Sequence, residues 1–262
     1  GMNRVYSHRD RARLQLILRG KRVGLSLIEI KEILDLYKVD QRAQAQTALK
    51  KYKARIVALE AQREDIDAAH TVRDQWHVIG RYEEKLEDKL RMQRLWLMGE
   101  QTQQPALILD FAFNNAPFET VLPPGVAMEA EVGFFPSNAP LRAVLLKADG
   151  DSQTQQAVNG TTIRANLAAY GCALARNPWL QQYPFVLESV LIVQRGGKWL
   201  LRDTEGTVMP LATRYPHQWA LLALSGGHPL RIMGEWDGSA FYPLSVMQPD
   251  RFVDFTVIRK LA

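Results

Sequence analysis

Cysteine is all but missing from this chain. Cys172 stands alone among 262 residues, which excludes an internal disulfide and any zinc site built from several cysteines. Histidine is scarce as well, and the five residues are scattered without an HxxxH pair, so neither a metal nor another cofactor is expected. No apolar run approaches the roughly 18 residues that a membrane-crossing helix requires. The N-terminus is charged where a secretory signal would be apolar, and a cytoplasmic protein with no membrane attachment is expected. Gly1-Met2 reads as a tag scar ahead of an initiator methionine.

What is present is ordinary in bulk and uneven in placement. Apolar residues make up 47% of the chain and charged ones 23%, the balance of a globular protein that can bury a real core. The charge separates two parts. Residues 1–70 carry 15 Lys and Arg against 9 Asp and Glu, a balance of +6, whereas residues 71–262 carry 18 against 19, a balance of −1. Eight of the basic residues fall within the first 31 positions. A basic segment of this kind is an electrostatic footprint for phosphate, because neutralising phosphates releases condensed counterions; the alternative is a solvated helical surface.

Local chemistry in the basic part predicts helices. Ser7 precedes Asp10 and Ser26 precedes Glu29 by three residues, the spacing in which a hydroxyl and a carboxylate satisfy the free amides of a helix start. Leu14, Ile17 and Leu18 line one side of the first helix, and Leu27, Ile30, Leu34 and Tyr37 one side of the second. A short helical hairpin is expected, with Gly20 and Gly24 flanking its connection. From Asp40 to about Ala69 no Gly or Pro interrupts the chain, and Ala45, Leu49, Tyr52, Ile56, Leu59, Arg63 and Ile66 repeat at alternating steps of four and three. That period predicts a coiled coil. A helix of this length spans roughly 45 Å and needs a partner surface, so a homodimer through Leu49, Tyr52, Ile56, Leu59 and Ile66 is expected.

These residues carry a resemblance. Arg4-Val5-Tyr6-Ser7 with Asp10, then Arg19-Gly20-Lys21-Arg22-Val23-Gly24-Leu25-Ser26-Leu27 with Glu29-Ile30 and a long helix behind them, resemble the MerR family of bacterial transcription regulators over residues 3–70. The resemblance implies that Arg4 and Tyr6 occupy wing positions that touch DNA phosphates, and that the long helices pair antiparallel in a dimer. Duplex DNA is the implied partner, with Arg4, Tyr6, Arg9, Lys21 and Arg22 as its contacts. The family's upstream helix-turn-helix precedes the matching residues and is not in this sequence, so the implied DNA contact is weak and without sequence preference, since phosphate contacts position a protein but do not specify bases.

Beyond Thr71 the period and composition change. "RMQRLWLMGEQTQQPALILDFAF" and "GVAMEAEVGFFPSNAPLRAVLLKADG" each predict two strands about a polar turn. "TTIRANLAAYGCALARNP" predicts a helix ended at Asn177-Pro178, followed by strands in "FVLESVLIV" and "KWLLRD" about Gly196-Gly197. "HQWALLALSGG" predicts a short helix with a glycine stop, and "LRIMGEWDGSAFYPLSVM" a hairpin with its turn at Asp237-Gly238. The expected class is α+β: an N-terminal helical hairpin and long dimerisation helix over residues 1–70, then a mainly antiparallel α+β domain over 71–262.

That second domain offers no catalytic constellation. Asp110, Glu119, Glu129 and Glu131 show no spacing that pairs a general acid with a base and are expected at the surface. Cys172, among small apolar residues on a helix, is expected to be a buried structural thiol. His217 and His228 flank a helix without a patterned acidic partner, and Gly196-Gly197-Lys198 lacks the rest of a phosphate loop. Trp96, Trp199, Trp219 and Trp236 are expected in the core, with Trp236, beside the Asp237-Gly238 turn, the best of them for a partner surface. Segments such as "VRDQWHVIGR", "NPWLQQYPF" and "GEWDG" give residues 72–247 a looser likeness to the region after the zinc finger of bacterial SWIM proteins, without that finger's Cys and His ligands. The reading that follows is a MerR-like regulator with an appended ligand- or protein-binding domain, or a non-DNA dimeric scaffold; an enzyme is not expected.

Overall fold

In a computed structural model the described residues are Ile17, Ile28, Ile30, Lys31 and residues 70–86, 90–154, 158–248 and 251–255. The chain divides into two compact units, Gly1–Ala68 and Ala69–Ala262. The four described residues of the first unit are helical, and within it Ile30 is buried while Ile28 is exposed. Neither the helical hairpin nor the long dimerisation helix is evident among the described residues; the rest of the stretch that they were expected to occupy lies outside them.

The second unit is mainly β, which corrects the α+β class. Its strands are β1 (Thr71–Lys85), β2 (Leu90–Gly99), β3 (Pro105–Phe113), β4 (Val126–Phe134), β5 (Arg142–Thr154), β6 (Tyr183–Arg195), β7 (Lys198–Arg202), β8 (Val208–Pro210), β9 (Leu230–Trp236), β10 (Phe241–Gln248) and β11 (Arg251–Asp254). Against these eleven stand two helices among the described residues, α1 (Ile163–Arg176) and α2 (Gln218–Ser225). Every hairpin expected from the sequence forms. The reason the class changes is closure: β1 to β5 join in the order β1-β2-β3-β5-β4 as a closed barrel, with β1 paired antiparallel to both β2 and β4 and β3 running parallel to β5. That order and parallel pair are the five-stranded Greek-key barrel of the OB type. The remaining strands form a second sheet, β11-β10-β9-β6-β7-β8.

β1 serves two cores because it carries an extra residue. Its register against β2 shifts between Val78 and Gly80, and such a bulge turns the following side chains to the opposite face. Before it, Trp76 and Val78 point into the barrel with Leu95, Leu97, Ile108, Val132 and Phe134. After it, Ile79 and Tyr82 point outward, where they pack with Trp96, Val186, Met233, Leu244 and Met247. A glycine is needed at the bulge: a Cβ on Gly80 would collide with Met233 Sδ and lie 3.2 Å from Leu244 Cβ.

The second sheet is therefore covered on both sides. Val186, Met233 and Leu244 face the barrel, while Phe185, Leu187, Ile232, Phe241 and Val246 face Ile163 of α1 and Leu221 of α2. Burial on two faces explains why β9 and β10 read as nearly continuous rather than alternating apolar runs. Within that seam of barrel and sheet lies a charge. Glu235 accepts from Arg94 Nε and Nη2 at 2.7 Å each and from Trp96 Nε1 at 2.8 Å, all three residues being buried. The guanidinium also lies 4.2 Å over the Tyr82 ring.

A second buried carboxylate ties the β2–β3 turn to β1. Asp74 accepts from the amides of Gln75, Gln101 and Thr102 at 2.7, 3.1 and 2.9 Å and from the Thr102 hydroxyl at 2.7 Å. Burial pushes its carboxyl up, but these hydrogen bonds outweigh that and hold it below the usual aspartate range. No helix among the described residues is long and apolar enough to cross a membrane.

Two outcomes test these anchors. Glu235→Ala strands Arg94 in the interior and is expected to cost about 3–5 kcal/mol in urea unfolding, whereas the double variant Arg94→Met/Glu235→Leu recovers most of that loss; equal losses in both would show that the charge pair is not what matters. For Asp74 the sign follows from the lowered pKa: its contribution is complete above the unfolded value, about 3.9, and is lost as pH falls through the lower folded value. Asp74→Asn is expected to cost about 1–3 kcal/mol at pH 7 and to lose less stability than wild type on acidification below about pH 4. Parallel acid-unfolding curves for the two proteins would refute the assignment.

Candidate functional site

The helix α1 is built to bury one face and leave the other open. Thr162 caps its start, with Oγ1 accepting from the Ala165 amide at 3.3 Å. Ile163 N donates to Asp203 Oδ2 at 3.0 Å, and Asn166 Nδ2 donates to Thr161 Oγ1 at 2.7 Å and to Val186 O at 3.1 Å, so the first turn is held on β6. On the opposite face Ala169, Cys172, Ala173 and Arg176 recur at helical spacing. They are small until Arg176, and the space they leave faces the β2–β3 and β4–β5 connections of the barrel.

The result is a groove of about 360 Å³. Pro105 lies on its barrel side with Ala139, Pro140 and Leu141, and Leu180 and Tyr183 follow the helix. Leu107 N donates to Leu141 O at 2.7 Å, which fixes the β4–β5 connection to β3. Asn177 ends the helix, its amide donating to Ala173 O at 2.9 Å and its Oδ1 accepting from Trp179 N at 3.2 Å. No acidic side chain lines the groove, and among the described residues no carboxylate pairs with Arg176. Burial is the chief cause that pushes the Tyr183 phenol up, with Cys172 adding to it.

Two other cavities compete poorly. One, beside Tyr82, Tyr215, Tyr242 and Phe255, measures about 20 Å³, the room of a single water. Another of about 160 Å³ has Glu188 and Arg231 as its charges, and these neutralise each other across 2.5 Å. A separate exposed feature is the outer edge of β3, where Phe111 and Phe113 are 48% and 63% exposed. Opposite them on β2, in register, are Met92 and Leu90.

The residues singled out by sequence form no common site among the described residues. Arg4, Tyr6, Arg9, Lys21 and Arg22, and with them Leu49, Tyr52, Ile56, Leu59 and Ile66, lie outside the described residues. Cys172 is exposed, not a buried thiol, because α1 buries the face of Ile163 and Asn166 and Cys172 is not on it. Trp96 and Trp236 are core residues as expected, but Trp236 offers no partner surface: it is buried and stacked on Phe185 at 5.8 Å. Trp199 is part-buried and meets Trp219 edge-on at 4.9 Å; Trp219 is 63% exposed, a surface residue rather than core. Glu119 and Glu129 are exposed, whereas Asp110 is buried and accepts from the amides of Phe111 and Thr120 at 2.7 and 2.8 Å. Gly196 and Gly197 form the hairpin turn, with φ of 57° and 76°. Among the described residues no group of three His, Cys, Asp or Glu is placed to hold a metal ion.

Sequence reasoning missed the groove. The small face of "AAYGCALAR" and the turn "PSNAP" were both visible, but nothing in the chain order says that they meet.

Fold and groove together define a β module with a surface cleft. Its sequence context is more specific: residues 11–72 match the family model described as MerR, DNA binding, so the chain carries a MerR-family segment. The matched stretch contains Lys21, Arg22 and the five apolar stripe residues, and begins after Arg4, Tyr6 and Arg9. No curated protein and no solved structure matches the chain, and the likeness of residues 72–247 to SWIM proteins finds no support.

Proposed function

We propose that this chain is a transcription-regulator-like protein, acting in the cytoplasm, whose N-terminal part contacts duplex DNA and whose β unit binds a ligand or another protein. The match of residues 11–72 to a MerR DNA-binding model carries the reading. The +6 balance of residues 1–70 against −1 for the remainder supports it, because a confined basic field attracts a polyanion. In this reading Arg4, Arg9, Lys21 and Arg22 contact phosphates by charge and Tyr6 by its hydroxyl. Leu49, Tyr52, Ile56, Leu59 and Ile66 form an apolar surface through which two copies associate. The protein binds and does not catalyse.

Fluorescence anisotropy with duplex DNA tests the first part. Binding is expected in the range of about 10⁻⁴ to 10⁻⁶ M at physiological salt, with Arg4→Ala and Lys21→Ala each lowering the salt slope by about one unit. Binding that ignores salt, or none at all, removes the regulator reading and leaves a protein-binding scaffold, for which the exposed Phe111 and Phe113 would be the contact. Self-association is tested by light scattering. Leu49→Glu with Ile56→Glu is expected to convert dimers to monomers, and a doubly substituted protein that stays dimeric would show that the surface was assigned to the wrong residues.

A further inference from the structure

The groove between α1 and the barrel has three properties that together select a ligand class. Its volume, about 360 Å³, falls at the lower end of small-molecule sites, roughly 300–1,000 Å³. Its walls are apolar where Ala169, Ala173, Leu141 and Leu180 line it. Its charge is of one sign, because Arg176 is the sole ionic side chain in the lining and among the described residues no carboxylate pairs with it. The partial negative charge at the end of α1, about half a unit, is smaller than the full charge of the guanidinium.

We propose that this groove binds a small amphipathic carboxylate, of the size of a medium-chain fatty acid, with its chain along the apolar wall and its carboxylate on Arg176. A guanidinium matches a carboxylate with two parallel hydrogen bonds, which an alcohol or an amine cannot reproduce. The apolar part contributes length dependence, about four-fold in affinity for each methylene taken from water. Cys172 opens onto the same groove and is the only thiol in the chain, so it reports occupancy without a label. The inference rests on the reading of the β unit as a ligand-binding module and is independent of whether the N-terminal part binds DNA.

The test uses the full chain with decanoate, below its micelle concentration, and decanol as the uncharged control. Calorimetry is expected to give one decanoate per chain, bound about ten-fold or more tighter than decanol, with Arg176→Gln reducing decanoate to the affinity of decanol. Ala169→Phe, at an exposed helix position, fills the groove and is expected to abolish binding of both while leaving the thermal midpoint unchanged. Saturating decanoate is expected to slow alkylation of Cys172 by iodoacetamide in wild type and not in Ala169→Phe. Equal affinity for decanoate and decanol, an unchanged affinity in Arg176→Gln, or unprotected Cys172 at saturation would each overturn the proposal. Because DNA binding is read separately, a chain that binds DNA and not decanoate defeats this inference alone, and the converse defeats the regulator reading alone.

Discussion

Glu235 holds the seam on which the arrangement of the second unit depends. Its two oxygens accept three hydrogen bonds from Arg94 and Trp96, and a carboxylate removed from water is tolerable only with such partners. Apolar contacts alone are forgiving of a slide. A bidentate pair between β2 and β9 is not, because sliding the barrel over the sheet would pull the guanidinium off both carboxylate oxygens and leave two buried charges unpaired. The pair therefore sets register between barrel and sheet, while Ile79, Trp96, Met233 and Leu244 supply the buried area around it. Ser245 adds a bond of its own from β10, its hydroxyl donating to Ile79 O at 2.6 Å across the same seam.

Register at the seam decides whether a groove exists. One wall is α1, which is tied to β6 through Asn166 and Ile163; the other consists of two barrel connections. The spacing of the two walls follows from the seam, since α1 rides on the sheet and the connections ride on the barrel. The groove is thus a consequence of how the barrel and the sheet of one unit are joined. Its chemistry is local: small residues on one helical face make the space, and Arg176 makes it electropositive.

The two parts of the chain differ in charge. Positive charge is concentrated where the MerR match lies, and the β unit is close to neutral overall, with ion pairs among its described residues such as Arg73 with Glu129 and Asp149 and Arg81 with Asp254. A nearly neutral unit with one guanidinium lining a groove suits selection of a small anion better than capture of a polyanion, for which a continuous basic field is required.

By itself the sequence determined the local elements. Turn residues at Gly196-Gly197 and Asp237-Gly238, strand-forming runs and the Asn177-Pro178 stop act over a few residues, and each produced the hairpin or helix end expected of it. The absence of a cysteine set and the MerR-like residues were likewise legible. β1 was not, because its bulge breaks the alternation that marks a strand, and without β1 the barrel cannot be seen to close. Only the tertiary structure decided the mainly β class, the exposure of Cys172 and Trp219, the burial of Asp110, and the meeting of α1 with Leu141 and Pro105. Those outcomes depend on contacts between residues far apart in the chain, and such contacts leave no local periodicity from which to read them.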